Sequence, residues 1–186
     1  MANFTIADIK TLREQLGTGM VDTKKALEEA DGDLEKAVEI LRLKGAKGNA
    51  KRADRSTSEG LVTAVAHGDK VTIIELNTET DFVAKNERFI ALADKVLEAA
   101  AAVDADSVEA ALAAPAGDQT VAELISDEAA IIGEKVELRR VRTLSGDKFE
   151  IYLHKTSKDL PPQVGVVLVY TGDDAETARS ICLLYT

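Results

Sequence analysis

Few residues in this chain have the types and spacing needed to make or break bonds. The two histidines, His67 and His154, lie in strand-like segments without a Cys or acid beside them at metal-ligand spacing. They read as structural or surface histidines. Cys182, the single cysteine, has no neighbouring base in sequence to hold it as a thiolate. Gly17-x-Gly19 lacks the third glycine and the preceding strand of a dinucleotide fingerprint, and no Gly-x4-Gly-Lys-Ser/Thr phosphate loop is present. Carboxylates are plentiful, but solvated helix faces account for them. No cofactor, metal or bond-making chemistry is expected. The stretch from Asn77 to Asn86, Asn-Thr-Glu-Thr-Asp-Phe-Val-Ala-Lys-Asn, offers chemistry of a different kind. Asp81 suits a helix N-cap, since its carboxylate can accept from the orphan amides of a first turn. Phe82 follows at the tip of a strand-to-helix connection. Two readings stand side by side: Asp81 caps while Phe82 folds onto the core, or the ring is a wedge held on a rigid corner for insertion into another protein.

The elements that would position this corner follow from the hydrophobic pattern. Before it, Leu61–Ala66 and Val71–Leu76 are β-rich runs separated by His67-Gly68-Asp69-Lys70, which reads as a hairpin. After it, residues 86–103 are helical, with Phe89, Leu92, Val96 and Ala100 on one face. A shorter helix is expected over 107–113, ended by Pro115 and Gly117. Thr120 and Glu123 form a capping box that opens another helix, closed by Gly133. Residues 136–144, 149–154 and 164–170 read as three further strands, and Asp174 begins a last helix.

Upstream, residues 4–45 read as three short helices. Thr5 caps the first, where Ile6, Ile9, Leu12 and Leu16 recur at helical spacing, and Gly17-Thr18-Gly19 breaks it. The second runs from Met20 to Ala30, and Asp33 caps the third, which Gly45 should stop. Such a small bundle barely buries a core and should lean on something else. Between Lys44 and Ser58, the cations Lys44, Lys47, Lys51, Arg52 and Arg55 outnumber Asp54, so this stretch reads as a basic linker. It is either a solvated tether or a contact for an acidic surface.

Hydrophobic residues at 45% and charged ones at 30% are ordinary for a soluble globular protein, and 186 residues allow one or two domains. A net charge of −10 argues against a general nucleic-acid or membrane binder, whose affinity comes largely from Lys and Arg on phosphates. No run approaches the apolar length of a membrane-spanning helix, the start Met1-Ala-Asn-Phe-Thr5 lacks the pattern of a secretory signal, and a lone cysteine fits a reducing compartment. A cytoplasmic location is expected.

A weak internal repeat is also visible. Gly68-Asp69-Lys70-Val71 and Gly146-Asp147-Lys148-Phe149 read as equivalent hairpin turns. Val71 and Val164 each open a β run and are each followed ten residues on by an aspartate at a strand-to-helix corner, Asp81 and Asp174. In the second copy Ala175 stands where the first has Phe82, and the last helix stops at Thr186, so the second copy reads as incomplete. The expected fold is therefore α+β. It comprises a three-helix domain over 1–45, a basic linker over 46–59, and two related antiparallel-sheet-plus-helix subdomains over 60–135 and 136–186.

Two of these stretches carry a family resemblance. Residues Leu12 to Leu27, with Arg13, Gly17, Gly19, Met20, Asp22, Lys24 and Lys25, followed by Asp31-Gly32-Asp33, resemble the amino-terminal signature of the bacterial elongation factor Ts family. Thr80-Asp81-Phe82-Val83-Ala84-Lys85-Asn86 resembles that family's central signature. The similarity runs from about Asn3 to Ser180 and implies that the first domain is ubiquitin-associated-like. It departs at Leu16 and Thr18, at a lengthened turn over 155–163, and after Ser180, where the family continues a long helix.

The activity implied by the resemblance is guanine-nucleotide exchange on elongation factor Tu, a GTPase that holds GDP through a phosphate loop and a magnesium ion. An exchange factor must bind the nucleotide-free partner better than the GDP-bound one, and linkage then obliges it to weaken GDP. By resemblance, Thr80, Asp81, Phe82 and Val83 would dislodge the partner's magnesium. Arg13, Met20, Val21, Lys85 and Asn86 would bind its GTPase domain. Such a factor turns over but is not an enzyme in the bond-making sense, and no direct nucleic-acid or membrane contact is implied. Two other classes and one variant remain open: an interaction adaptor, indifferent to Phe82; a hydrolase using Asp81 or Glu79 with His67, active without a partner; and an exchange-inactive fragment.

Overall fold

Side chains that satisfy the first amides of a helix set most of the helix starts. In a computed structural model describing residues 3–186, Thr5 accepts from the Asp8 amide, while the Asp8 carboxylate takes the Thr5 N–H and hydroxyl. These bonds hold the Asp8 carboxyl below the usual carboxylate range, the backbone bond contributing most. Of the segment read above for a leader, Met1 and Ala2 lie outside the described residues. This box opens α1 (Ile6–Leu16), which Gly17 ends in the left-handed region at φ 61°. α2 (Met20–Glu29) follows, and Asp33 caps α3 (Leu34–Arg52) through the Lys36 amide.

Two compact units divide the chain: one holds the residues through Asp54 together with Ser126–Glu134, the other Arg55–Ile125 and Lys135–Thr186. The core of the first is small, with Leu12, Ala26, Leu27, Ala30, Ala37 and Leu41 buried and Phe4, Ile9, Leu16, Val38 and Ile40 packed against them. The bundle leans, as expected, on something else, namely the segment from Ser126. Asn49 Nδ2 donates to the Ser126 carbonyl at 2.7 Å, and a Cβ at Gly45 would stand 2.8 Å from Ala130 Cβ.

That approach also corrects the third helix. It does not stop at Gly45 but runs to Arg52, taking in much of the stretch expected to be linker. A glycine inside a helix costs only about 1 kcal/mol relative to alanine, and here its missing Cβ admits a neighbour. Lys44 pairs with Asp22, and Arg52 donates to Asn49, so part of the basic stretch is used internally.

In the second unit, β1 (Glu59–His67) and β2 (Lys70–Thr78) form the expected antiparallel hairpin around Gly68. Their continuation is α4 (Asp81–Ala84), α5 (Glu87–Ala102), α6 (Val108–Ala113), a short ribbon of β3 (Pro115–Ala116) and β4 (Gln119–Thr120), and α7 (Val121–Ile132). α7 opens on the Thr120–Glu123 box and continues past Ile125 into the first unit. β5 (Glu137–Ser145) then pairs with the free side of β2, giving the order β1-β2-β5, all antiparallel.

The β2–β5 ladder carries a bulge, since Glu75 lies opposite Arg140 but Leu76 opposite Leu138, leaving Arg139 as the extra residue. Leu138 and Val141, three apart, can therefore both be buried on the face of Ile74 and Leu76. α5 packs on the β1–β2 hairpin and buries Phe89, Leu92, Ala93, Val96 and Ala100.

β6 (Lys148–His154) and β7 (Val164–Tyr170) make a separate antiparallel pair, covered by α8 (Ala175–Leu184), which Asp174 caps. Gly146-Asp147 is thus not a hairpin turn: β5 and β6 on its two sides pair with β2 and β7 respectively. The turn residues matched locally, but partner choice is a long-range matter of burial. Gly165 brings β7 against Val62 and Ile73, which strand alternation puts on the face opposite Ile74 and Leu76, and a Cβ there would stand 2.5 Å from Val62 Cγ1. The architecture is α+β, with three amino-terminal helices followed by antiparallel sheets and helices.

Candidate functional site

The end of β2 is fixed before the corner begins. Asn77 and Thr78 are buried, and Asn77 Nδ2 donates to the Glu59 carbonyl at 3.1 Å. Thr80, not Asp81, is the N-cap of α4: its hydroxyl accepts from the Val83 amide at 3.4 Å. Either side chain could cap in principle, but Thr80 holds the extended backbone that an N-cap requires, and Asp81 is already helical. Asp81 instead points its carboxylate to Lys85 Nζ, 3.7 Å away.

α4 is a single turn, and its closure is what aims Phe82. The Asn86 amide donates to the Val83 carbonyl at 2.9 Å, and the Asn86 side chain caps α5 by accepting from Arg88 N at 2.9 Å. Ala84 and Phe89 are both fully buried, one on each side of that joint. With the inward positions taken, Phe82 faces out and is 74% exposed. The inward-folding alternative for this ring is set aside by that exposure. Lys85 Nζ lies 4.7 Å from the ring centroid, so a chain of contacts runs from Asp81 through Lys85 to the ring. A phenylalanine left in water holds back about 1.5–3 kcal/mol of transfer free energy that a partner's pocket could recover.

Arg13, Met20 and Val21 belong to the other unit. Arg13 lies in the last turn of α1 and is exposed. Met20 and Val21 form the first turn of α2 and are 54% and 66% exposed, an apolar pair that the bundle core does not use.

The hydrolase arrangement is not assembled. His67 pairs with Lys70 at the turn end of the β1–β2 hairpin, whereas Glu79 and Asp81 lie beyond Thr78 at its open end. That separation is roughly 27 Å at 3.4 Å per residue. His67 Nε2 meets Glu98 at 3.4 Å, and Tyr152 meets His154 Nδ1 at 3.2 Å. Among the described residues no group of three or more His, Cys, Asp or Glu could hold a metal ion. Cys182 lies on the buried face of α8, and burial pushes its thiol up, away from a reactive thiolate. No described helix is long and apolar enough to cross a membrane.

Glu79, whose sequence context suggests only an acid, accepts from the Lys135 backbone amide at 2.6 Å and from Arg55 Nη1 at 3.2 Å. The partners are 56 and 24 residues away, beyond the reach of any local pattern.

Comparison with known proteins agrees with the motif. A family profile described as "Elongation factor TS" matches residues 79–184. Proteins named Elongation factor Ts from Leifsonia xyli and Clavibacter michiganensis are 74% and 67% identical, each over 97% of this chain and 66% of the relative's length. One from Beutenbergia cavernae is 57% identical over 98% of the chain and 67% of its own length. The chain thus spans about two thirds of the relatives it matches, and with a profile covering more than half of its residues and identities this high, it belongs to the elongation factor Ts family.

Proposed function

We propose that this chain acts in translation as a guanine-nucleotide exchange factor, binding elongation factor Tu in its GDP form in the cytoplasm and dislodging the magnesium ion and nucleotide. The observation that carries the reading is Phe82: a large apolar ring, 74% exposed, on a one-turn helix closed at both ends by hydrogen bonds. A pre-ordered wedge can convert contact energy into displacement of a partner's elements because little is lost in ordering it. In this reading Thr80 and Val83 close the turn, Asp81 and Phe82 enter the partner, and Lys85 and Asn86 hold the corner's base. Arg13, Met20 and Val21 supply a second contact from the helical unit. The apolar pair Met20–Val21 and the exposed cation fit a docking patch better than a reaction site. GTP then refills the emptied nucleotide site.

The test follows release of a fluorescent GDP analogue from elongation factor Tu, with magnesium present and then chelated. The chain is expected to accelerate release strongly with magnesium and much less without it, since chelation already removes what the wedge displaces. Binding without acceleration would leave an adaptor or an exchange-inactive fragment. Equal acceleration in both arms would remove magnesium displacement from the mechanism.

A further inference from the structure

Glu79 lies between the last residue of β2 and the cap of α4. Its side chain is 17% exposed. One carboxylate oxygen takes the Lys135 backbone N–H at 2.6 Å, and Arg55 Nη1 reaches the two oxygens at 3.2 and 3.4 Å. The partners are held in turn. Lys135 Nζ donates to the Arg55 carbonyl at 3.2 Å and lies 3.5 Å from Glu137. Glu137 accepts from the hydroxyl of buried Thr57 at 2.9 Å, and Arg139 donates to the Thr57 carbonyl at 3.4 Å. Two segments distant in sequence, around Arg55–Thr57 and Lys135–Arg139, thus converge on one carboxylate.

We propose that Glu79 is a positioning residue for the exchange activity, clamping the root of the corner so that α4 presents Phe82 in one direction. This rests on the exchange reading above. Only Thr80 separates Glu79 from α4, which is closed on itself by the Thr80 and Asn86 contacts and seated on β1 and β2 with Ala84 buried, so Glu79 fixes the one end of the turn that α5 does not hold. The backbone amide of Lys135 is the part of the clamp that fixes direction, because it is anchored at the entrance to β5 and donates along one line. Arg55 is half exposed and adds charge that solvent largely screens. Glutamine at this position keeps an acceptor for the amide, whereas alanine keeps none.

The experiment measures GDP release from elongation factor Tu at saturating and sub-saturating chain, for the parent chain, Glu79→Ala, Glu79→Gln, Phe82→Ala and the double variant Glu79→Ala with Phe82→Ala. Thermal unfolding of each is recorded alongside. Loss of aim lowers the maximal rate of Glu79→Ala, on the order of 10- to 100-fold, with little change in half-saturation. Glu79→Gln recovers most of that loss. In the Phe82→Ala background Glu79→Ala costs almost nothing more, since a misaimed corner without its ring has nothing left to misplace.

A folded Glu79→Ala chain with the parent's maximal rate overturns the proposal, as does full additivity of the two alanine substitutions. If Glu79→Ala does not fold, Glu79→Gln and Arg55→Ala decide, since both keep the amide bond and lose only the Arg55 charge: near-parental maximal rates in both support the amide clamp, and a loss of about 10-fold or more in either folded variant overturns it. A parent chain that accelerates nothing removes the exchange reading, and the clamp's role with it.

Discussion

Phe82→Ala is expected to slow the chain-stimulated release of GDP by on the order of a hundredfold, while leaving the chain as stable as before. A well-placed aromatic anchor at the centre of an interface is worth about 2–4 kcal/mol on truncation, and each 1.4 kcal/mol is about a tenfold change. The fold loses little, because the ring is 74% exposed and Lys85, itself exposed, stacks over it from the corner's own turn. Exposed substitutions of this kind stay within about 0.5 kcal/mol, and the cation–π contact adds at most about 1 kcal/mol at such a site. Stopped-flow release with the two chains, beside urea unfolding followed by circular dichroism, separates the effects. Undiminished stimulation by Phe82→Ala would mean that the ring is a bystander and that docking alone does the work.

The opposite profile is expected for Phe89→Ala, seven residues along. Phe89 is fully buried in the first turns of α5, among Leu92, Ala93 and Val96 and against the β1–β2 hairpin. Truncation removes its transfer free energy and leaves a cavity, together about 3–5 kcal/mol. Small domains hold about 5–15 kcal/mol in all, so the second unit would lose a large share of its stability. With m near 2 kcal/mol/M, the urea midpoint should fall by about 1.5–2.5 M. The cluster around Leu12, Leu27 and Leu41 contains no residue of α5. The α1–α3 signals should therefore melt later than those of α5 and β2, by residue-resolved hydrogen exchange. A midpoint shift below about 0.5 M would show that the site collapses around the gap.

What could be read from the sequence was local chemistry. The caps at Thr5, Asp33 and Thr120 are legible because donor and acceptor stand three residues apart, and all three form; Asp174, read as the start of the last helix, is its cap. The strand runs were legible because β-branched and apolar residues cluster between turn residues. Two of the misreadings share one cause, which is that a distant segment decides. Gly45 reads as a stop until Ala130 fills the space beside it. Gly146-Asp147 reads as a hairpin until β5 and β6 choose different partners. Asp81 reads as a cap until the backbone gives that position to Thr80. The candidate corner is legible as a motif, but the direction of Phe82 depends on Ala84 and Phe89 occupying the inward positions, and Glu79's partners lie far along the chain.

The bulge at Arg139 changes what the central sheet can survive at the level of the gene. Losing one codon inside a strand ordinarily turns every later side chain to the wrong face, because the alternation has a period of two. Opposite Glu75 and Leu76 the count already runs one residue long. An in-frame deletion of Arg139 would restore an unbroken ladder and still leave Leu138 and Val141 facing inward, surrendering the Arg139 bond to the Thr57 carbonyl. This bend is accordingly the place in β5 where descendants of the sequence can shorten by one residue and keep the same interior.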